Sequence, residues 1–251
     1  MMVSITLLAA IMIGLLAMFN QAQKALHIAH MQSDVFENAR GAMQIVSRDL
    51  VDMTSVTDNN LTYAPSSFVT NWGLTLPNVP INGDPNPIFL DSFWLTRLND
   101  DWTGVGYYVA DATYGVGTLY RFSGTVREAR IADLYGAFTA PMPTNTHRVS
   151  DGIVHFLLRP TYVEGFNTNN GAVLYGNDIR RVLRSNDLPA FVDVEIGVLE
   201  TATLKQFEAL KPVDAAAAKT FLINHVGRIH FFRERVPIRN FINPYRANEV
   251  P

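Results

Sequence analysis

From Val3 to Phe19 the chain is apolar apart from Ser4, Thr6 and Gly14, and the first charged residue is Lys24. Hydroxyl side chains can bond back to a helix and glycine permits close packing, so neither breaks a helix surrounded by hydrocarbon. As a helix this run reaches ~26 Å, near the ~30 Å of a bilayer core. Between Gln21 and Met53 there is no proline and one glycine, Gly41, and most residues are helix formers. Phe36, Ala39, Met43, Val46, Leu50 and Met53 recur at alternating steps of three and four, which puts them on one side of a helix. The pattern predicts one helix from the first residue to about Ser55, ~80 Å long, apolar all round in its first third and amphipathic in its last half. A cleaved signal peptide would carry a basic leading flank and a clear cleavage site, and neither is present. A buried core helix fits the length, but apolar character on every side at a terminus favours a membrane segment.

After Ser55 the texture changes. "TDNNLTYAPSS" and "LPNVPINGDPNP" are rich in Asn, Pro, Gly and Ser and read as loops. "IFLDSFWLTRL", "GVGYYVAD", "GTLYRFSG", "GIVHFLLRPTY", "AFVDVEIGVLE" and "RIHFFRERVPIRN" are aromatic and β-branched and read as strands, with "ATYGVG" as a hairpin connection. In "FVDVEIGVL", Val192, Val194, Ile196 and Val198 alternate with Asp193, Glu195 and Gly197, which predicts one buried and one solvated face. "SGTVREARIADLYGA", "TATLKQFEAL" and "VDAAAAKTFLINH" read as helices. No repeat or linker divides this part. The expected fold class is therefore α+β: a long N-terminal membrane-spanning helix (1–55) packed on an antiparallel β-rich globular domain (56–251).

Composition narrows the chemistry. The chain has no cysteine, which excludes thiol catalysis, thiolate metal sites and disulfides. Twenty basic and 23 acidic residues give a net charge of −3 with no basic block, so nucleic acid is not an expected partner. The Gly-x-Gly pairs in "GVGYY" and "YGVGT" lie between strands and lack the following helix of a phosphate loop. His27 and His30 share a helix face without a third ligand nearby, and His155 and His230 sit in strand patterns. Ser66 and Ser67 lie outside any nucleophile motif, and Asp100 and Asp101 are adjacent acids on a polar loop. In "NGDPNP", Asn82, Asp84 and Asn86 offer oxygens for calcium, but the two prolines favour a plain turn. No catalytic residue, cofactor or metal site is expected.

A long helix, apolar first and amphipathic later, ahead of a β-rich region resembles the type IV pilin and pseudopilin family. "MMVSITLLAAIMIGLLAMF" is similar to the part of that family's helix just after its characteristic glutamate, and "ENARGAMQIVSRDL" looks like the helix end of the J-type minor pseudopilins of type II secretion. "VGYYVADATYGVGTLYRFSG", "VSDGIVHFLLRPTY", "LPAFVDVEIGVLE" and "GRIHFFRERVPIRN" follow in the order of that group's strands. The leader and processing motif are missing, and the expectation is that Met1 is an internal residue of a longer helix. The resemblance implies a structural subunit at the inner membrane with its globular domain in the periplasm. Its partners would be other pilin-like subunits, inner-membrane lipid and secreted protein cargo. Val3, Ile5, Leu7, Leu8, Ile11, Ile13, Leu15, Leu16 and Phe19 would form the membrane and assembly helix, and Arg40, Arg48 and Asp49 are candidate subunit contacts. A membrane-anchored periplasmic enzyme or ligand-binding domain is the competing reading.

Overall fold

The structure, a computed structural model, describes residues 2–54, 61–70, 88–99, 101–127, 130–140, 143–161, 183–184, 188–210 and 215–239. Helix α1, Met2–Val51, is 50 residues long, as the absence of proline allows. Its buried residues are Val35, Ala39, Ala42, Met43, Val46 and Leu50. Its C-terminal carbonyls are satisfied by groups from elsewhere in the fold as well as by the local turn. Trp94 Nε1 donates to Asp49 O, Met53 N to Leu50 O, and Arg239 N to Val51 O. An orphan helix end buried in a protein must be satisfied in some such way, so the helix terminus and the sheet specify one another.

The expected membrane-spanning character of this helix is corrected. Among the described residues no helix is long and apolar enough to cross a membrane. The side chains of the first ten residues lie outside the described residues. The apolar run closes at Phe19, where Asn20, Gln21 and Gln23 and then the charge of Lys24 make the helix polar.

The strands are β1 (Leu61–Thr70), β2 (Ile88–Leu98), β3 (Asp101–Ala110), β4 (Gly117–Arg127), β5 (Thr146–Thr161), β6 (Leu183–Arg184), β7 (Phe191–Leu199) and β8 (Ile229–Pro237). They form one eight-stranded sheet in the order β6-β1-β2-β3-β4-β5-β7-β8. The sheet is not purely antiparallel as expected, because β2 also meets β5 in parallel at Phe89 and Phe156. Residues 61–70, part of which reads as loop by composition, form strand β1 on the flank of β2. The calcium-like "NGDPNP" lies outside the described residues.

One face of the sheet holds α1. Trp94, Val105, Tyr107, Leu119, Ile153, Phe156, Leu158, Val194 and Ile196 close over the buried stripe of the helix. The other face carries two smaller cores. Helix α2, Ile131–Phe138, seats Leu134 and Phe138 with Phe93, Leu95, Trp102 and Phe122. It comes close because β3 has glycine there; a Cβ on Gly106 would lie 2.5 Å from two ring carbons of Phe138. Helices α3 (Thr201–Leu210) and α4 (Ala215–Asn224) cover the far end, where Phe207, Ala218 and Leu222 pack on Val154, Leu199 and Ile229.

Candidate functional site

Among the described residues, helix α1 is buried against the sheet from Val35 onward. Every residue from Ile11 to Leu26 is exposed. Before Val35 the helix is an arm of ~50 Å. On it Ile11, Ile13, Leu15, Leu16 and Phe19 are each more than half exposed, with Ile13 at 71%. Val3, Ile5, Leu7 and Leu8 belong to the same helix, and their side chains lie outside the described residues. Met12, Met18 and Leu26 add to the exposed apolar surface, although they were not singled out from the sequence. Large contiguous apolar surface of this kind marks a surface built to be covered.

Where the arm leaves the domain, Phe36 is half exposed rather than buried as its place in the periodic stripe predicts. Its ring lies 5.5 Å from Phe232 in an edge-on contact and 5.5 Å from the ring of His230. The next anchor is deeper. Asp49, which the sequence offers as a subunit contact, is buried, and its carboxylate accepts hydrogen bonds from Tyr107 Oη at 2.7 Å and Arg121 Nε at 2.5 Å. Trp94, whose indole N–H reaches the Asp49 carbonyl, stacks on Tyr107 at 5.5 Å. Burial, then the adjacent carboxylate, pushes the Tyr107 phenol well above its ordinary range, so it serves as a neutral donor. Arg48 points outward with Nε 3.8 Å from Asp49 Oδ1, and Arg40 is exposed and forms no ion pair among the described residues. The three charges predicted together therefore do different things: one locks the arm to the sheet and two face solvent.

A second polar system lies on the opposite sheet face. Asp193 and Glu195, expected to be solvated, are only 3% and 4% exposed. The reason is the neighbouring strand. Arg235 forks onto Asp193 at 2.8 and 3.1 Å, and Arg233 Nε lies 3.3 Å from Glu195 Oε1 with its Nη2 3.7 Å from Asp193. Long arginine stems cover the carboxylates while their heads reach water. His155 on β5 is fully buried beside them, Nε2 3.6 Å from Glu195 Oε2, with its ring against Phe231. Further along, Glu200 is buried between Arg228 and His230 at 3.3 and 3.2 Å.

Burial lowers the pKa of His155 below the ordinary 6.5, and the pull of Glu195 only partly offsets this. The unfolded chain then binds a proton near pH 6.5 that the folded chain refuses. Stability contributed by this site is present above pH 6.5 and lost as pH falls toward the lower folded value, by at most ~1.4 kcal/mol per pH unit for one proton. Thermal melts at pH 7.5 and 5.5 should show a larger acid loss for the wild type than for His155→Gln. An equal loss in both would mean that His155 carries its proton in the folded chain.

The remaining sequence candidates are dispersed. His30 and His147 are exposed, His225 stacks on Phe221 at 4.0 Å, and the side chain of His27 lies outside the described residues. Among the described residues no three His, Asp or Glu side chains are grouped as a metal would need. Ser66 and Ser67 fall in β1, with side chains outside the described residues; Asp100 lies outside the described residues, while Asp101 opens β3 in an exposed position. The glycines of "GVGYY" receive α2, and those of "YGVGT" form the β3–β4 hairpin, where Gly115 has φ 87°. No protein-family model matches the chain, and no curated protein matches it significantly.

Proposed function

We propose that the chain is a structural subunit of a type II secretion or type IV pilus-like assembly, resembling the minor pseudopilins, and that it works through its exposed helical arm. The observation that carries this reading is the arm itself: Ile11, Met12, Ile13, Leu15, Leu16, Met18 and Phe19 are each more than half exposed on it. A helix that is apolar all round is not stable in water alone and is satisfied by other apolar surface. Bundling with the arms of other pilin-like subunits satisfies every side at once. The anchor fits this role, because a helix used as a handle must be joined rigidly to the domain it carries. Asp49, Tyr107, Arg121 and Trp94 make that join. The location that goes with this reading is the inner membrane, with the globular domain in the periplasm, and cell fractionation tests it.

The double substitution Ile13→Asp and Leu16→Asp tests the function. It places two charges on residues that are 71% and 62% exposed, so the melting temperature of the domain should stay within a degree or two. Recovery of pilin-like partners in a pull-down from native membranes should fall by about tenfold or more, since each buried unpaired charge is costly. Undiminished recovery, or wild-type pull-downs free of any pilin-like protein, would remove the basis for the assembly reading.

A further inference from the structure

Beyond Phe19 the arm stays apolar along one side. Phe19, Ala22, Leu26, Ala29, Ser33 and Phe36 recur at steps of three and four, and each of them is exposed. At 3.6 residues per turn they fall within about a third of the helix circumference, whereas Asn20, Gln23, Lys24, His30 and Asp34 fall outside it. Steps that average 3.5 residues are those of a seam between two helices wound around each other, and small residues on it let the backbones come close. Lys24 and Asp34 are the only acidic or basic residues between Phe19 and Phe36, so the seam itself is uncharged. Its lower end lies on the domain, where the Phe36 ring meets Phe232 and His230 of β8, both half-buried. Past that point the same side turns polar, with Glu37, Arg40 and Gln44 exposed. The sheet takes a different side of the helix: Val35, which it buries, stands about 100° around from Phe36.

We infer that this seam pairs two copies of the chain, side by side and parallel, about a two-fold axis that runs along the arms. The inference rests on the assembly reading above and adds to it one partner and the side of the helix that this partner takes. In such a pair each seam residue meets its own copy, so an uncharged seam brings no like charges together. The position of the domain also suits a second copy. Because each sheet stands well around the helix from the seam, the two-fold puts the two domains on opposite sides of the pair, and neither comes between the helices. Direction follows from where the seam stops. An antiparallel pair using the same seam would lay the stretch from Ile11 to Phe19 against Glu37 and Arg40 of the other copy, which buries charge under apolar side chains. The parallel pair keeps the apolar ends together and leaves their outer sides for the arms of further subunits.

The test uses purified full-length chain in mild detergent, and the cysteine-free sequence gives it a positional readout. Ala22→Cys and Ala29→Cys, on the seam, should each form a disulfide-linked homodimer under mild oxidation. They should do so about tenfold faster than Gln23→Cys or Asp34→Cys, which lie off it, because a disulfide needs Cα atoms ~4.4–6.8 Å apart. Adding Leu26→Glu to the Ala29→Cys chain brings two like charges together on the seam, and should slow the cross-link and weaken self-association in sedimentation by about tenfold each. Adding Lys24→Glu instead, off the seam, should change neither, and circular dichroism melts show that each variant is folded. Cross-links of equal rate on and off the seam overturn the pairing, and a preferred mixed disulfide between Phe19→Cys and Phe36→Cys chains overturns its parallel direction. In native membranes, a seam cysteine that joins a different pilin-like protein and never its own copy overturns the second copy as occupant while leaving the arm-based assembly standing. The pull-down above reads assembly with other subunits and the cross-link is read on the purified chain, so either can fail without the other.

Discussion

Replacing Asp49 with alanine is expected to destabilise the globular part by ~3–5 kcal/mol, the range for removing one partner of a buried ion pair. The loss has two parts. Arg121 would be left partly buried without its carboxylate, and the Tyr107 hydroxyl, fully buried, would lose its acceptor at 2.7 Å. The value should lie toward the lower end, because Arg121 keeps some contact with water. Asp49→Asn separates the parts: an amide oxygen can still accept from Tyr107, but the ion pair is gone, so a smaller loss is expected. Urea unfolding followed by tryptophan fluorescence suits the measurement, since Trp94 stacks on Tyr107 and donates to the Asp49 carbonyl. A loss below ~1 kcal/mol for the alanine variant would show that the arm is held by apolar packing alone.

Gly197→Ala is the second large effect, at ~1–3 kcal/mol. A Cβ there would lie 2.9 Å from the Cβ of His155 and 2.7 Å from a ring carbon of Phe231. Phe231 could swing, but the His155 Cβ is fixed by the β5 backbone, so β5 and β7 would have to part locally. The register across this row, His155 with Gly197 and Gly197 with Phe231, explains why a side chain is absent in the middle of an otherwise full strand. The same denaturant titration reads the effect. A neutral outcome would mean that the sheet is loose enough at β5–β7 to absorb a methyl group. That would also argue against the His155 acid sensitivity, since a loose sheet would let water reach the imidazole.

Much of the secondary structure was legible because it depends on local patterns. Proline-free residues 2–51, with apolar positions at three- and four-residue steps, could only be read as helix, and "TATLKQFEAL" and "IFLDSFWLTRL" coincide with α3 and β2 to the residue. The role of Asp49 was less plain, though a trace of it exists. Ala39, Ala42, Val46, Asp49 and Met53 run at steps of three and four, so a carboxylate stands in the middle of a buried stripe. Periodicity shows that such a position is enclosed; it cannot show that Tyr107 and Arg121, 58 and 72 residues away, arrive there to satisfy it.

The β7 alternation illustrates the same boundary. The polar residues Asp193 and Glu195 correctly occupy one face and the valines the other, but solvation of the polar face depended on what lies beside it. Arg233 and Arg235 on β8 cover it, and that pairing comes from sheet order. By itself, then, the sequence determined most of where helix and strand occur, that the first part of α1 is apolar on all sides, and that thiol chemistry is not available. Tertiary structure alone decided which charges are locked inside and which stay exposed. The physical reason is range: backbone geometry repeats over two to four residues, whereas a buried charge is stable only if a partner far along the chain is brought within about 3 Å of it.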